Sequence, residues 1–254
     1  MKNIINQYIK PIIYCSVLLT MMVASCKQDD YYVDGGKADP KFKGNMMEYL
    51  ESNPKFDTIA QIVKLAGMEE AFKNEELTFF APTDEVIRRT IGIYATGTLN
   101  TLLFDLGKDT IKVLADVQPE IWRKYLNRYL FKGKMTAKDY PQLDFRLKPL
   151  YPGGFYTGYN RDLANIGVVY NPVNGVNYIG YRQLSFSYIP DPANPDNFLP
   201  AAIASSDIQP TNGVIHVIAV ATGGSYFIGE TMQSFAANMY GFDGEFLTDV
   251  ILSK

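Results

Sequence analysis

At 254 residues, 47% hydrophobic and 20% charged, the chain has apolar material for one sizeable core and shows no compositional break that would force two domains. A formal net charge of -3 and a single histidine argue against a nucleic-acid surface and a multi-histidine metal site. No cofactor is expected, because GGFYTGYN and GGSYFIG lack both the spacing of a phosphate loop and a following lysine-bearing helix.

Residues 1–25 combine a lysine-bearing start, an apolar run from Pro11 through Ala24 that is too short to span a bilayer, and small residues before Cys26. That is the plan of a secretory signal peptide. Val23-Ala24-Ser25-Cys26 resembles the bacterial lipobox, which implies that Cys26 becomes the lipid-bearing mature N-terminus and that membrane contact runs through this lipid only. Of the 2 cysteines, Cys15 would leave with the leader, so an exported chain of this kind is stabilised by packing and not by an internal disulfide. Residues 26–44 are polar and without periodicity, a flexible tether holding the domain off the lipid. The acidic run Asp29-Asp30 behind the cysteine resembles the surface-export signal of Bacteroidetes lipoproteins, and implies an outer-membrane location facing the cell exterior.

From Asn45 the spacing turns helical: Met46, Met47 and Leu50 share a face before Asn53-Pro54, and Phe56, Ile59, Ile62, Val63 and Ala66 share another before Gly67. The run LTFFA at 77–81 is β-prone and ends at Pro82, which cannot donate to a ladder. Thr83 is then expected to cap a helix whose first turn carries Asp84 and Glu85. A further helix follows through Leu99, Leu102, Leu103 and Leu106. Another starts at Pro119 and places Ile121, Trp122, Tyr125, Leu126, Tyr129 and Leu130 on one core stripe up to Gly133. Strands are expected at 145–147, 166–170, 176–181, 184–189 and 201–205, separated by turn clusters such as PGG, NPVNG and PDPANPDN. After the turn dipeptide Asn212-Gly213, whose residues tolerate positive φ, VIHVIAV is apolar on both faces and reads as a central strand. Met232, Phe235, Phe242 and Phe246 point to a C-terminal extension over 222–254 that packs back on the body.

The boxes TFFAPTDEVI and NGVIHVI, about one domain apart, together with the intervening YLNRYLFKGKMTAKD, resemble the fasciclin family over residues 45–221. The resemblance implies an α+β fold, a single fasciclin-like domain with helices packed on a β-sandwich or wedge of mostly antiparallel strands. It also implies structural roles for Phe80, Pro82, Thr83, Asp84, Tyr129, Asn212, Gly213 and His216. In the middle segment the family carries a Tyr-His pair, where this chain has Arg128 and Tyr129.

An enzyme reading would have to combine His216 with Ser205 or Ser206 and Asp207, yet His216 alternates with Val214 and Ile218 on a buried strand and reads as a core histidine. The resemblance implies a non-enzymatic adhesion or ligand-binding lipoprotein with an extracellular protein or glycan partner. The alternative is an accessory lipoprotein that captures glycans for a polysaccharide-uptake system. The aromatic insert over 151–200 is the individual part of the chain, and Tyr156, Tyr159 and Tyr178, each beside a glycine or asparagine turn, are its candidate ligand-binding rings. Asp207-Ile208 is the second candidate, since an Asp-Ile pair at this position has been linked with integrin recognition in animal members of the family.

Overall fold

Asn45 begins the ordered helices with a complete capping box: its side chain accepts the Glu48 N–H while the Glu48 carboxylate accepts the Asn45 N–H at 2.8 Å. The computed structural model to which this belongs describes residues 39–92, 97–220, 225–228, 231–234, 241–242 and 244–254. Helix α1 (Met46–Ser52) buries Met46, Met47 and Leu50, and α2 (Asp57–Leu65) buries Ile59, Ile62 and Val63, on the faces that the spacing predicts. After α3 (Glu69–Asn74), strand β1 (Leu77–Ala81) is buried at every position and stops at Pro82, where α4 (Asp84–Ile91) begins. Helices α5 (Leu99–Asp105) and α6 (Pro119–Leu126) follow. The last ends earlier than its apolar stripe, because a 3-10 turn at Asn127–Tyr129 hands over to strand β2 (Leu130–Lys132), which pairs with β1.

Strands β3 (Gly154–Thr157), β4 (Leu163–Tyr170), β5 (Arg182–Tyr188), β6 (Leu199–Ile208) and β7 (Gly213–Ile218) complete one seven-stranded sheet of order β2-β1-β7-β6-β5-β4-β3. All neighbours are antiparallel except β1 and β7, whose parallel register sets Phe80 beside His216. This single sheet takes the place of the expected two-layer sandwich or wedge. The reason lies in β6, whose first half pairs with β5 and whose second half, through two register shifts, pairs with β7. Such irregularities bend a strand and let one sheet curl where two would otherwise stack. Just past β3, the Tyr159 N–H donates to the Leu130 carbonyl on β2 at 2.7 Å, so the two borders of the curled sheet meet and it becomes barrel-like. A separate hairpin, β8 (Ser225–Ile228) with β9 (Thr231–Ser234), and helix α7 (Gly244–Ser253) end the described chain. From Pro40 onward these elements belong to one compact unit.

Two expected strands are turns. At 145–147 the chain bends because the Asp144 carboxylate accepts the N–H groups of Arg146 and Leu147 at 2.8 and 3.1 Å. At 176–181 it bends because Asn174, Gly175 and Tyr178 take positive φ, and Val173 and Val176 close a tight turn on each other. The other three expected strands are present and longer. The main core runs from α1 to α7 through β1, and a smaller cluster of Leu143, Val169, Ile189, Phe198 and Ala202 fills the space beneath the insert loops. The leader, Cys26, the tether up to residue 38, and Phe235 lie outside the described residues. Among the described residues no helix is long and apolar enough to cross a membrane.

Candidate functional site

The first motif is buried on both faces. Phe79 and Phe80 are each fully enclosed, Phe79 edge-on to Phe72 at 5.1 Å and Phe80 stacked on Phe186 at 4.0 Å. Thr83 occupies the N-cap position of α4 but its side chain makes no capping bond. The capping work falls to Asp84, and not on its own helix: its carboxylate accepts the Thr58 and Ile59 N–H groups at 2.9 and 3.2 Å, closing the start of α2, where Phe56 has no side-chain acceptor to offer. At the second motif, the Asn212 side chain accepts the Met46 N–H at 2.7 Å and donates to the Phe72 and Glu75 carbonyls at 2.9 Å, so one amide pins α1 and α3 to the start of β7. Gly213 is needed for close approach and not for positive φ, since a Cβ there would lie 2.3 Å from the Leu77 carbonyl oxygen and 2.5 Å from Met46 Cε.

His216 lies on β7 with no exposure. Its Nδ1 accepts the Asp207 N–H at 3.3 Å and its Nε2 faces the Met135 carbonyl at 3.0 Å, an arrangement that requires the neutral ring with its proton on Nε2. Burial holds its pKa below the ordinary histidine value, although the Asp207 carboxylate, 3.8 Å from Nδ1, opposes that shift. Ser205 and Ser206 are exposed on β6, outside this enclosure. Asp207 and Ile208 form the end of β6 and not a loop: Asp207 has φ 65 and its carboxylate accepts the Ala137 N–H at 2.7 Å, while Ile208 pairs with Ile215 and packs on the core. Among the described residues no cluster of three or more His, Cys, Asp or Glu side chains is placed to hold a metal ion.

Arg128 and Tyr129, the departure in the middle segment, grip the C-terminal segment. The Arg128 guanidinium is buried between the faces of Tyr125 and Tyr188, 4.7 Å from each ring centre, and pairs with Glu245 at the start of α7. The Tyr129 hydroxyl accepts the Gly241 and Phe242 N–H groups at 3.0 and 3.2 Å, and its ring stacks on Phe242 at 5.4 Å. Asp249 takes Lys124 at 2.6 Å and the Tyr125 hydroxyl at 2.7 Å, and these partners hold its carboxyl below the usual range. Phe246 and Val250, one turn apart on α7, are fully enclosed; Phe246 packs on Trp122 and Tyr125, and Phe242 on Trp122.

The three candidate rings of the insert are half-buried, each with its own internal partner. Tyr156 packs edge-on to Tyr140 at 5.3 Å, Tyr159 donates to the Glu75 carboxylate, and Tyr178 donates to Asp144 at 2.8 Å and leans on Tyr151. What stands out from the insert and the turn just before it is chiefly aliphatic: Leu147, Leu150, Val173, Val176 and Ile179, with Tyr181 at 65% and Phe155 at 44% exposure. Leu147, Val176, Ile179 and Tyr181 fall in the two segments whose β-propensity reads as strand, which hides their exposure on turns. Apolar residues at turn positions, where polar ones are ordinary, were the signal available.

With this geometry in place, comparison with known proteins is informative. The fasciclin domain profile matches residues 54–221, and the chain belongs to that family. Among solved structures it is similar to a FAS1 domain pair from the insect cell adhesion molecule fasciclin I, with 20% identity and a TM-score of 0.43, over 69% of this chain and 49% of that one. The chain thus spans about half the length of that structure. A search of curated proteins gives no match.

Proposed function

We propose that this chain is a non-enzymatic adhesion or ligand-binding module, held at the outer membrane by lipid on Cys26 and facing the cell exterior. Family membership carries the reading, because fasciclin domains are typically adhesion modules and this domain accounts for residues 54–221. The state of His216 supports it: the one histidine is sealed and neutral, with both ring nitrogens engaged, and has no path to a substrate. Probing immobilised matrix proteins and a glycan array with the domain tests the binding role. Saturable binding to a protein supports the adhesion reading, binding confined to polysaccharides favours the glycan-uptake alternative, and binding to neither removes both. Anchoring is tested separately with radiolabelled palmitate, which is expected to enter the wild type and not Cys26→Ser. Equal labelling of the two would remove the anchor.

A further inference from the structure

Two loops, 144–151 just before the insert and 171–181 within it, are fastened to each other. The Asp144 N–H closes the first loop on the Tyr151 carbonyl at 3.0 Å, and between the loops the Tyr178 hydroxyl donates to Asp144 at 2.8 Å and the Tyr151 and Tyr178 rings meet at 5.8 Å. From this braced base project Leu147, Leu150, Val176 and Ile179, which are 46%, 66%, 54% and 64% exposed. Among the described residues nothing buries these aliphatic side chains, and their shape suits penetration of a soft apolar phase better than contact with a flat rigid surface. Glycan recognition uses broad rings, and here the aliphatic side chains outnumber the exposed tyrosine.

Charge and chain direction narrow the occupant further. Arg146, Lys148 and Arg182 flank the tips. Lys148 lies over the Phe198 ring at 4.0 Å and donates to the Asp196 carbonyl, and Arg182 lies over Tyr170 at 4.6 Å, neutral groups that leave both charges in place. The one carboxylate on either loop, Asp144, is turned inward onto Tyr178 and the Arg146 and Leu147 N–H groups. The carboxylates of Asp191 and Asp196 belong to the next loop, where Asp191 is occupied by Ala193 and Asn194. The registers Tyr170 with Arg182, Ser185 with Ala202, and Ile208 with Ile215 put the β4–β5 turn at the same end of the sheet as the β6–β7 turn. At that end the chain joins the domain, because Gln209 bonds Pro40 and Phe42, and Thr211 bonds Gly44. Lys41 and Lys43 lie on this joining stretch. Cys26 is 14 residues before Pro40, a reach of at most about 50 Å. The described chain therefore enters the domain at the end of the sheet that carries the apolar tips, and an anchor upstream would tether the domain by that end.

We propose that the paired loops 144–151 and 171–181 form a second membrane contact, an anionic lipid surface receiving Leu147, Leu150, Val176 and Ile179 while the flanking arginines and lysines meet its headgroups. The orientation rests on the lipid-anchor reading, whereas the affinity of the loops does not. A contact of this kind would add to the N-terminal lipid in the manner of a two-signal anchor.

The test uses the full chain carrying Cys26→Ser, so that no acyl group contributes, sedimented with vesicles of phosphatidylcholine mixed with phosphatidylglycerol and with vesicles of phosphatidylcholine alone. The Leu150→Asp, Ile179→Asp double variant is run beside it, and the leader common to both chains cancels in the comparison. Stronger sedimentation with the mixed vesicles is expected, weakened at least about tenfold by the double variant with no change in melting temperature. Hydrogen exchange on adding the mixed vesicles is expected to slow at 144–151 and 171–181. Equal sedimentation of the two chains, or no slowing at these loops, overturns the proposal whatever the palmitate result. A dimer that the double variant disperses, with no vesicle binding, overturns it in favour of a second copy of the chain.

Discussion

On the helical side of the molecule Tyr125 and Tyr129 are shut inside, and their hydroxyls are met by Asp249 and by the Gly241 and Phe242 N–H groups, more than a hundred residues along the chain. In the insert, Tyr178 is half-exposed and met by Asp144, 34 residues away, while Tyr181 stands 65% in solvent. One side is closed by distant chain folding over it, the other by loops turning on themselves. A ring becomes core when a remote segment arrives with both apolar cover and a hydrogen-bond partner. Without that arrival the same residue type stays at the surface and is available to something outside.

The comparison is sharpened most by removing a ring from each side. Phe80→Ala should lose roughly 3 to 5 kcal/mol in a denaturant melt, because the cavity between Phe186 and Phe131 cannot collapse fully, and Phe79→Ala should cost a similar amount. Phe155→Ala, at 44% exposure on β3, should lose less than about 1 kcal/mol. Similar losses at Phe80 and Phe155 would erase the distinction between the two sides. Next in size is Tyr129→Phe, which keeps the ring and strands two buried N–H groups at a cost of about 1 to 3 kcal/mol. Limited proteolysis should then release the C-terminal segment sooner, and unchanged cleavage would show that Arg128 and the apolar contacts hold it alone.

Asp84→Ala is expected to cost about 0.5 to 2 kcal/mol through the loss of a cap on α2, with Thr83→Ala costing less since Thr83 caps nothing. The reverse order in thermal melts would contradict the cap. The smallest effect is in pH dependence. Because burial lowers the His216 pKa, the unfolded chain binds the proton more readily, so this contribution to stability is present above about pH 6.5 and falls as pH drops toward the folded value. His216→Gln should flatten the melting-temperature slope between about pH 7 and 5, above the range below about pH 5 in which Glu85 and Asp249, with their lowered carboxyl pKa values, lose their contributions. An unaltered slope in the variant would mean that the ring is not the titrating group.

The helices and the two central strands were legible because their signals are local: the spacing of Met46, Met47 and Leu50, the stop at Pro82, and the doubly apolar run after Gly213. Segments 145–147 and 176–181 read as strands because Phe145, Val176 and Ile179 carry β-propensity, while Asp144, Asn174 and Tyr178 impose turns that propensity does not register. Long-range partners left no local trace. Nothing near Asp84 announces the α2 N–H groups 26 and 25 residues back, and nothing near Arg128 announces Glu245. The turns beside Tyr156, Tyr159 and Tyr178 were legible, but their half-buried positions depend on Tyr140, Glu75 and Asp144, which no neighbouring residue announces.

The bond from the Tyr159 N–H to the Leu130 carbonyl crosses the seam where the curled sheet would otherwise present open borders. An open border is a template: any extended peptide with donors and acceptors in step can be added to it, with little regard for sequence. Here that mode of capture would first have to unfasten the seam. At this border of the seven-stranded sheet, contact through side chains is therefore favoured over pairing through the backbone.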